Sequence, residues 1–191
     1  MARRRAAPGS GRLDALVREA HASYGCGEEL PNLEGIKYAI VGGLATALYM
    51  PQRMTLDTDL LILGEDLKRV EARLEAAGCE RAGPLTIGRS SWRLPKGRIL
   101  DVIALDGTWV SDALNTAVRD ADSHPFVSLP FLVLMKLESG RLQDLADISR
   151  MLGCADEASV AAVRTTIAKY RPQDTDDLES MHRLGKLEHE S

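Results

Sequence analysis

Two carboxylates interrupt a run that otherwise has the make-up of a buried strand. In "RMTLDTDLLIL" Asp57 and Asp59 are flanked by Leu56 on one side and by four apolar residues on the other. Side chains alternate along a strand, so the two acids share one face about 7 Å apart, with Thr58 on the other. Carboxylates placed this way repel each other and raise each other's pKa unless a cation lies between them. Hard oxygen donors of this kind select Mg²⁺ or Mn²⁺ over softer metals.

A second apolar, β-branched segment, "RILDVIAL", carries Asp101 in the same incongruous way. If the two strands are neighbours, about 5 Å apart in a sheet, Asp57, Asp59 and Asp101 can converge and hold two ions about 4 Å apart, the arrangement used for in-line displacement at phosphorus. Asp101 is then the group that activates the attacking hydroxyl, directly or through metal. Contacts to phosphate are expected from Gly42 and Gly43, which close the run "IKYAIVGG". With no Cβ, their backbone N–H groups are open to a phosphate at the start of a helix beginning near Leu44; the same pair also serves as an ordinary tight turn. No G-x-x-x-x-G-K-[ST] sequence is present, so a P-loop NTPase is not supported.

Cations complete the candidate set. Arg53, just ahead of the acids, suits a triphosphate contact, and Lys136, inside the apolar helix "FLVLMKLESG", either neutralises phosphate charge or snorkels at the helix surface. Asp144 and Asp147 fall i, i+3 on the next helix, where Arg141 and Asp144 read as a surface ion pair and Asp147 as structural. His21, His124, His182 and His189 show no zinc-binding spacing, and no G-x-S-x-G occurs. Trp92 and Trp109 read as packing residues rather than base-stacking platforms.

The elements that must position these groups follow from periodicity. "IKYAIVGG" reads as a buried strand, "LATALYM" as a helix stopped by Pro51, and "LDTDLLIL" as a second strand. "GEDLKRVEARLEAAG" places Leu67, Val70, Leu74 and Ala77 on one helical face with Gly78 beyond the end. "TIGRSSWRL" and "RILDVIAL" form an antiparallel hairpin across "PKG". Three further helices are expected: "SLPFLVLMKLESG"; "RLQDLADISRMLG" with Leu142, Leu145, Ile148 and Leu152 on one face; and "SVAAVRTTIAKY" with Val160, Val163, Ile167 and Tyr170.

The expected fold is α/β (α+β), a small mixed sheet flanked by helices with a C-terminal helical cluster. Residues 1–12 form a disordered basic leader, 13–107 the α/β core with a first helix over Leu13 to His21, 108–171 a helical part of the same domain, and 172–191 a polar, frayed tail.

Composition bounds what this fold can serve. The 191 residues are 45% hydrophobic with a net charge of −4, ordinary for one globular domain and without an overall basic field for nucleic acid or membrane. Cys26, Cys79 and Cys154 are widely spaced and odd in number, against a disulfide framework. No apolar run reaches the ~18 residues of a membrane span. A cytoplasmic protein is expected.

Taken together, "VGG", "RMTLDTDL", "RILDV" and "MKLESGRLQDLADI", over roughly Tyr38 to Leu152, resemble the polymerase-beta-type nucleotidyltransferase superfamily, and more narrowly its minimal AbiEii/AbiGii toxin-type branch. The resemblance implies a nucleotidyltransferase fold in which Gly42 and Gly43 bind triphosphate and Asp57, Asp59 and Asp101 bind Mg²⁺ (or Mn²⁺). In the toxin-like branch it assigns nucleotide contacts to Arg53 and Thr55, and matches Lys136, Arg141 and Asp144 to a Lys…R-x-x-D segment. The chain departs from the wider superfamily in having Gly-Gly for Gly-Ser and a longer stretch before Asp57, so Thr46 or backbone amides would replace the missing hydroxyl.

The implied activity is transfer of NMP from an NTP to an acceptor hydroxyl. RNA (a tRNA 3′ end) or protein is the acceptor in toxin-type members, and a small molecule such as an aminoglycoside in antibiotic-modifying ones. A cognate antitoxin is an implied partner. The alternatives are a non-catalytic regulatory member that binds nucleotide or a partner, and a plain interaction module whose acids are satisfied by Arg53, Arg93 or Arg98.

Overall fold

The computed structural model describes residues 30–50, 57–83, 88–120 and 123–189. The expected leader, the helix over Leu13 to His21, Cys26, Arg53 and Thr55 lie outside them.

The first strand, β1 (Tyr38–Val41), is buried from Ala39 to Val41 and runs without a loop into the five-residue helix α1 (Gly42–Thr46). Strand β2 (Thr58–Leu63) begins one residue after Asp57. A 3-10 turn over Gly64–Asp66 leads into α2 (Leu67–Ala76), which buries Val70 and Leu74 and ends ahead of Gly78 at φ 77°. A Cβ is strained at that φ, so glycine lets the chain reverse there. Strands β3 (Glu80–Arg81), β4 (Arg89–Arg93) and β5 (Ile99–Leu105) follow, with β4 and β5 forming the expected antiparallel hairpin.

Helix α3 (Thr108–Asn115) and strands β6 (Val118–Arg119) and β7 (Pro125–Phe126) come next. The sheet thus has seven strands in the order β3-β4-β5-β2-β1-β7-β6. It is mixed: β2 is parallel to β5, β1 is parallel to β7, and the other neighbouring pairs are antiparallel. The mixed α/β architecture flanked by helices is the expected one. The boundary at 108 is corrected, since residues 108–126 are not all helical and finish the sheet, with Phe126 the register partner of Ile40. A two-residue strand is too short to show alternation, and only its partner defines it.

The C-terminal helices are α4 (Leu129–Ser139), α5 (Leu142–Cys154), α6 (Glu157–Tyr170) and α7 (Thr175–His189). Leu142, expected on the buried face of α5, is instead 87% exposed at its first residue, ahead of the buried stripe of Ile148, Met151 and Leu152. The frayed tail is also corrected. Residues Thr175–His189 are a helix whose Leu178, Met181 and Gly185 are buried. Asp176 and Asp177 in its first turn and Lys186 and His189 in its last complement the helix dipole, so composition that reads as disorder also caps a helix.

α5 and α7 touch backbone to backbone. A Cβ on Gly153 would lie 2.3 Å from the Gly185 carbonyl oxygen, and one on Gly185 would lie 1.9 Å from that of Ser149. The Ser149 hydroxyl donates to the Met181 carbonyl at 3.0 Å in the same seam. Gly153→Ala therefore forces the helices apart and lowers the urea-unfolding free energy by about 2 kcal/mol. On an unpacked helix the same change would raise it by roughly 0.5–1 kcal/mol, so the sign of the shift reads the contact directly.

Candidate functional site

One transverse row of the sheet collects the chemistry. Asp59 on β2 is the register partner of Asp101 on parallel β5, Asp101 is in turn the partner of Ser91 on β4, and Asp59 is the partner of Val41 on β1. Laterally paired residues point to the same side of a sheet, about 4.8 Å apart. The two acids are therefore held side by side by backbone pairing, and the neighbourhood expected of their strands is present. The Ser91 hydroxyl donates to Asp101 Oδ1 at 2.5 Å, which fixes that carboxylate from the far side.

Asp59 is half-buried and its carboxyl is pushed up to about 6, first by burial, then by the charges of Asp101 and Asp57, against the opposing charges of Arg89 and Lys136. Asp57 takes a different position from the expected one. β2 starts at Thr58, which is buried on the opposite side, and Asp57 is exposed just outside the strand. The preformed part of the site is thus the Asp59–Asp101 pair. Among the described residues no three His, Cys, Asp or Glu side chains already stand closed around one ion position.

The glycine turn is shaped by Asp59. Gly42 sits at φ 63°, and a Cβ there would lie 2.0 Å from Asp59 Oδ2. Any side chain at 42 would displace the carboxylate, so one reason for this glycine is to let the acid approach the turn. Thr46, suggested as a substitute phosphate contact, is buried and donates its hydroxyl to the Gly42 carbonyl at 2.8 Å. That hydroxyl braces the turn instead. Gly43 is the second residue of α1.

Lys136 is neither snorkelling nor exposed. It is buried on α4, with Nζ 2.8 Å from Asp144 Oδ1 and 2.7 Å from Asp147 Oδ2 on α5. Asp147 is fully buried and also accepts from Gln143 at 3.1 Å; Asp144 accepts from the Ser139 hydroxyl. Burial pushes the Asp144 carboxyl up, but hydrogen bonds from Lys136 and Ser139 and the charges of Lys136 and Arg141 outweigh it and hold it below the usual range. The expected Arg141–Asp144 surface pair is corrected to a cluster in which half-buried Asp144 joins buried Lys136 and Asp147, with Arg141 exposed and acting only through its charge. Lys136 reaches the acid row through its charge on Asp59.

A pocket of about 150 Å³ opens along the row, lined by Asp59, Arg89, Ser91, Asp101 and the backbone neighbours Ser90, Val102 and Ile103. Arg89 and Ser91 were not among the residues singled out from sequence. The alternation in "RSSWR" was the available signal: it puts Arg89 and Ser91 on one face and Ser90 and the fully buried Trp92 on the other. Trp92 packs in the core, donates to Ser90 at 2.9 Å and carries the Arg81 guanidinium 4.7 Å from its ring centroid, as a packing role requires. Cys79 and Cys154 are free thiols.

No protein-family model matches the chain, and no curated protein matches it. Among solved structures it is similar to ANT(2″)-Ia in complex with adenylyl-2″-tobramycin, with a TM-score of 0.45 and 14% identity over 88% of this chain and 93% of that one. It is also similar to the solution structure of the antibiotic-resistance factor ANT(2″)-Ia, with a TM-score of 0.42 and 16% identity over 93% of this chain and 94% of that one. No helix among the described residues is long and apolar enough to cross a membrane.

Proposed function

We propose that the chain is a metal-dependent nucleotidyltransferase of polymerase-beta type, of the toxin-type branch, which moves NMP from an NTP to an acceptor hydroxyl with release of pyrophosphate. The observation that carries this reading is the register pairing of Asp59 with Asp101, two carboxylates that backbone hydrogen bonding holds together despite their repulsion. A pair so placed is costly in the protein alone and suits a cation of hard-oxygen preference. Asp59 and Asp101, with the exposed Asp57 whose charge reaches Asp59, would hold Mg²⁺ or Mn²⁺. The ion, when bound, neutralises the phosphate oxygens and orients them.

The remaining roles belong to the chain itself. Asp101, fixed by Ser91, takes the proton from the acceptor hydroxyl as its oxygen bonds to the α-phosphorus and the bond to pyrophosphate breaks. Gly42 and Gly43 leave room for the substrate phosphates and for Asp59, and Arg53 and Thr55 contribute nucleotide contacts. The Lys136–Asp144–Asp147 cluster sets the position of a buried cation whose charge acts on Asp59. Most of the rate enhancement comes from positioning and fixed charge, since phosphoryl transfer needs little covalent work from the protein. The acceptor is an RNA 3′ end, and a cognate antitoxin is the expected partner of such an enzyme.

The test is label transfer. Each α-³²P-labelled NTP is supplied with Mg²⁺, and total RNA, the protein's own polypeptide and an aminoglycoside panel are offered as acceptors. Label on RNA with wild type, and none with Asp59→Asn, supports the reading; label on an aminoglycoside corrects the acceptor, and label on nothing overturns it.

A further inference from the structure

The row of the sheet has a direction. From β1 across β2 and β5 to β4 it runs from the Gly42 turn, through Asp59 and Asp101, to Ser91 and then Arg89, two residues along the same strand face. Arg89 lines the same pocket as the two acids. It is placed by backbone and not by a side-chain partner. Gly88, at φ 74°, accepts from the Ala104 amide at 2.7 Å, and a Cβ on it would lie 2.8 Å from the Ala104 carbonyl oxygen. This close approach pins the start of β4 to β5 and with it the Arg89 Cα.

A guanidinium offers five donors in a planar fork that matches the geometry of a phosphate. Those of Arg81 on β3 are spent on Glu71 at 3.1 Å and on the Trp92 ring, and those of Arg69 on Asp66 and the Gly35 carbonyl. Arg89 hydrogen-bonds to no described residue; its effect on Asp59 is through charge alone. An exposed cation that lines the pocket of two acids and is bonded to neither has its donors available for a ligand.

We infer that Arg89 binds a phosphate oxyanion of a substrate on the Asp101 side of the pocket, which makes the site selective for a phosphate-bearing substrate there. The inference rests on the nucleotidyl-transfer reading, in which Asp101 faces the acceptor. The oxyanion belongs to the acceptor, such as the phosphate that precedes a 3′-terminal ribose, or to the NTP.

Binding of two probes separates these sources: a trinucleotide RNA with a free 3′ hydroxyl, and the non-transferable α,β-methylene-ATP with Mg²⁺. Both are titrated into wild type, Arg89→Ala, Arg89→Lys and Asp59→Asn. Arg89→Ala is expected to weaken the trinucleotide about tenfold, with partial recovery in Arg89→Lys and little change for the ATP analogue. The same loss confined to the ATP analogue supports the oxyanion contact and assigns it to the NTP. If Arg89→Ala binds both probes as wild type does while Asp59→Asn loses the ATP analogue, the Arg89 inference is overturned alone. If wild type binds neither probe, the nucleotidyl-transfer reading falls and the inference with it.

Discussion

Asp59→Asn is expected to raise the melting temperature of the metal-free protein at pH 8 by about 7 °C while lowering label transfer by a factor of about 10³ or more. The two effects share one cause. The Asp59 carboxyl, ordinarily near 3.8, is pushed to about 6 by burial and by the charges of Asp101 and Asp57. Between these values the folded protein keeps a proton that the unfolded chain has released. The contribution of Asp59 to folding stability is therefore full below about pH 4 and is lost as pH rises through 6, a change of about 3 kcal/mol. Asparagine keeps the shape and removes the charge, so the fall in stability that Asp59 contributes over this range is absent from the metal-free variant. Thermal melts at half-unit steps from pH 4.5 to 8 check it: equal slopes in the two proteins would show that the acid row is not strained.

Lys136→Met is expected to destabilise the protein by about 3–5 kcal/mol, a large part of the stability of a domain of this size. Lys136 and Asp147 are 7% and 0% exposed at their side chains, 2.7 Å apart. Removing the lysine leaves Asp147 charged and without its ammonium partner in the core, which costs more than the pair ever contributed. The companion variant Lys136→Met/Asp147→Leu is expected to recover at least about 2 kcal/mol of that loss, since contacting residues are strongly non-additive. Urea titrations of the two singles and the double measure the coupling; a strictly additive cycle would contradict the buried pair.

Much of this arrangement was legible in the residues. The apolar runs around Asp59 and Asp101 marked both as core-strand acids, and the β-branched alternation of "TIGRSSWRL" and "RILDVIAL" gave their hairpin. What periodicity could not supply was register. That Asp59 faces Asp101 rather than Val102 depends on a parallel pairing set by the whole sheet, and a shift of one residue would move every side chain to the other face. Arg89 escaped notice for the same reason, since its place beside the acids follows from pairing opposite Ile103.

Lys136 and Asp147 were each visible, but their contact crosses the turn between two helices and lies outside any local spacing rule. The final helix was hidden by its acids, because the sequence shows charge while the two glycines that let it pack are recognisable only once α5 is beside it.

The most direct test of the central claim is a Mg²⁺ titration of wild type and Asp59→Asn at pH 8, followed by melting temperature, with and without α,β-methylene-ATP. If the paired acids are a cation site, Mg²⁺ raises the wild-type melting temperature in a saturable way, the nucleotide analogue raises it further, and Asp59→Asn responds to neither. A wild type whose melting temperature ignores both Mg²⁺ and nucleotide, or a variant that responds as wild type does, would contradict it.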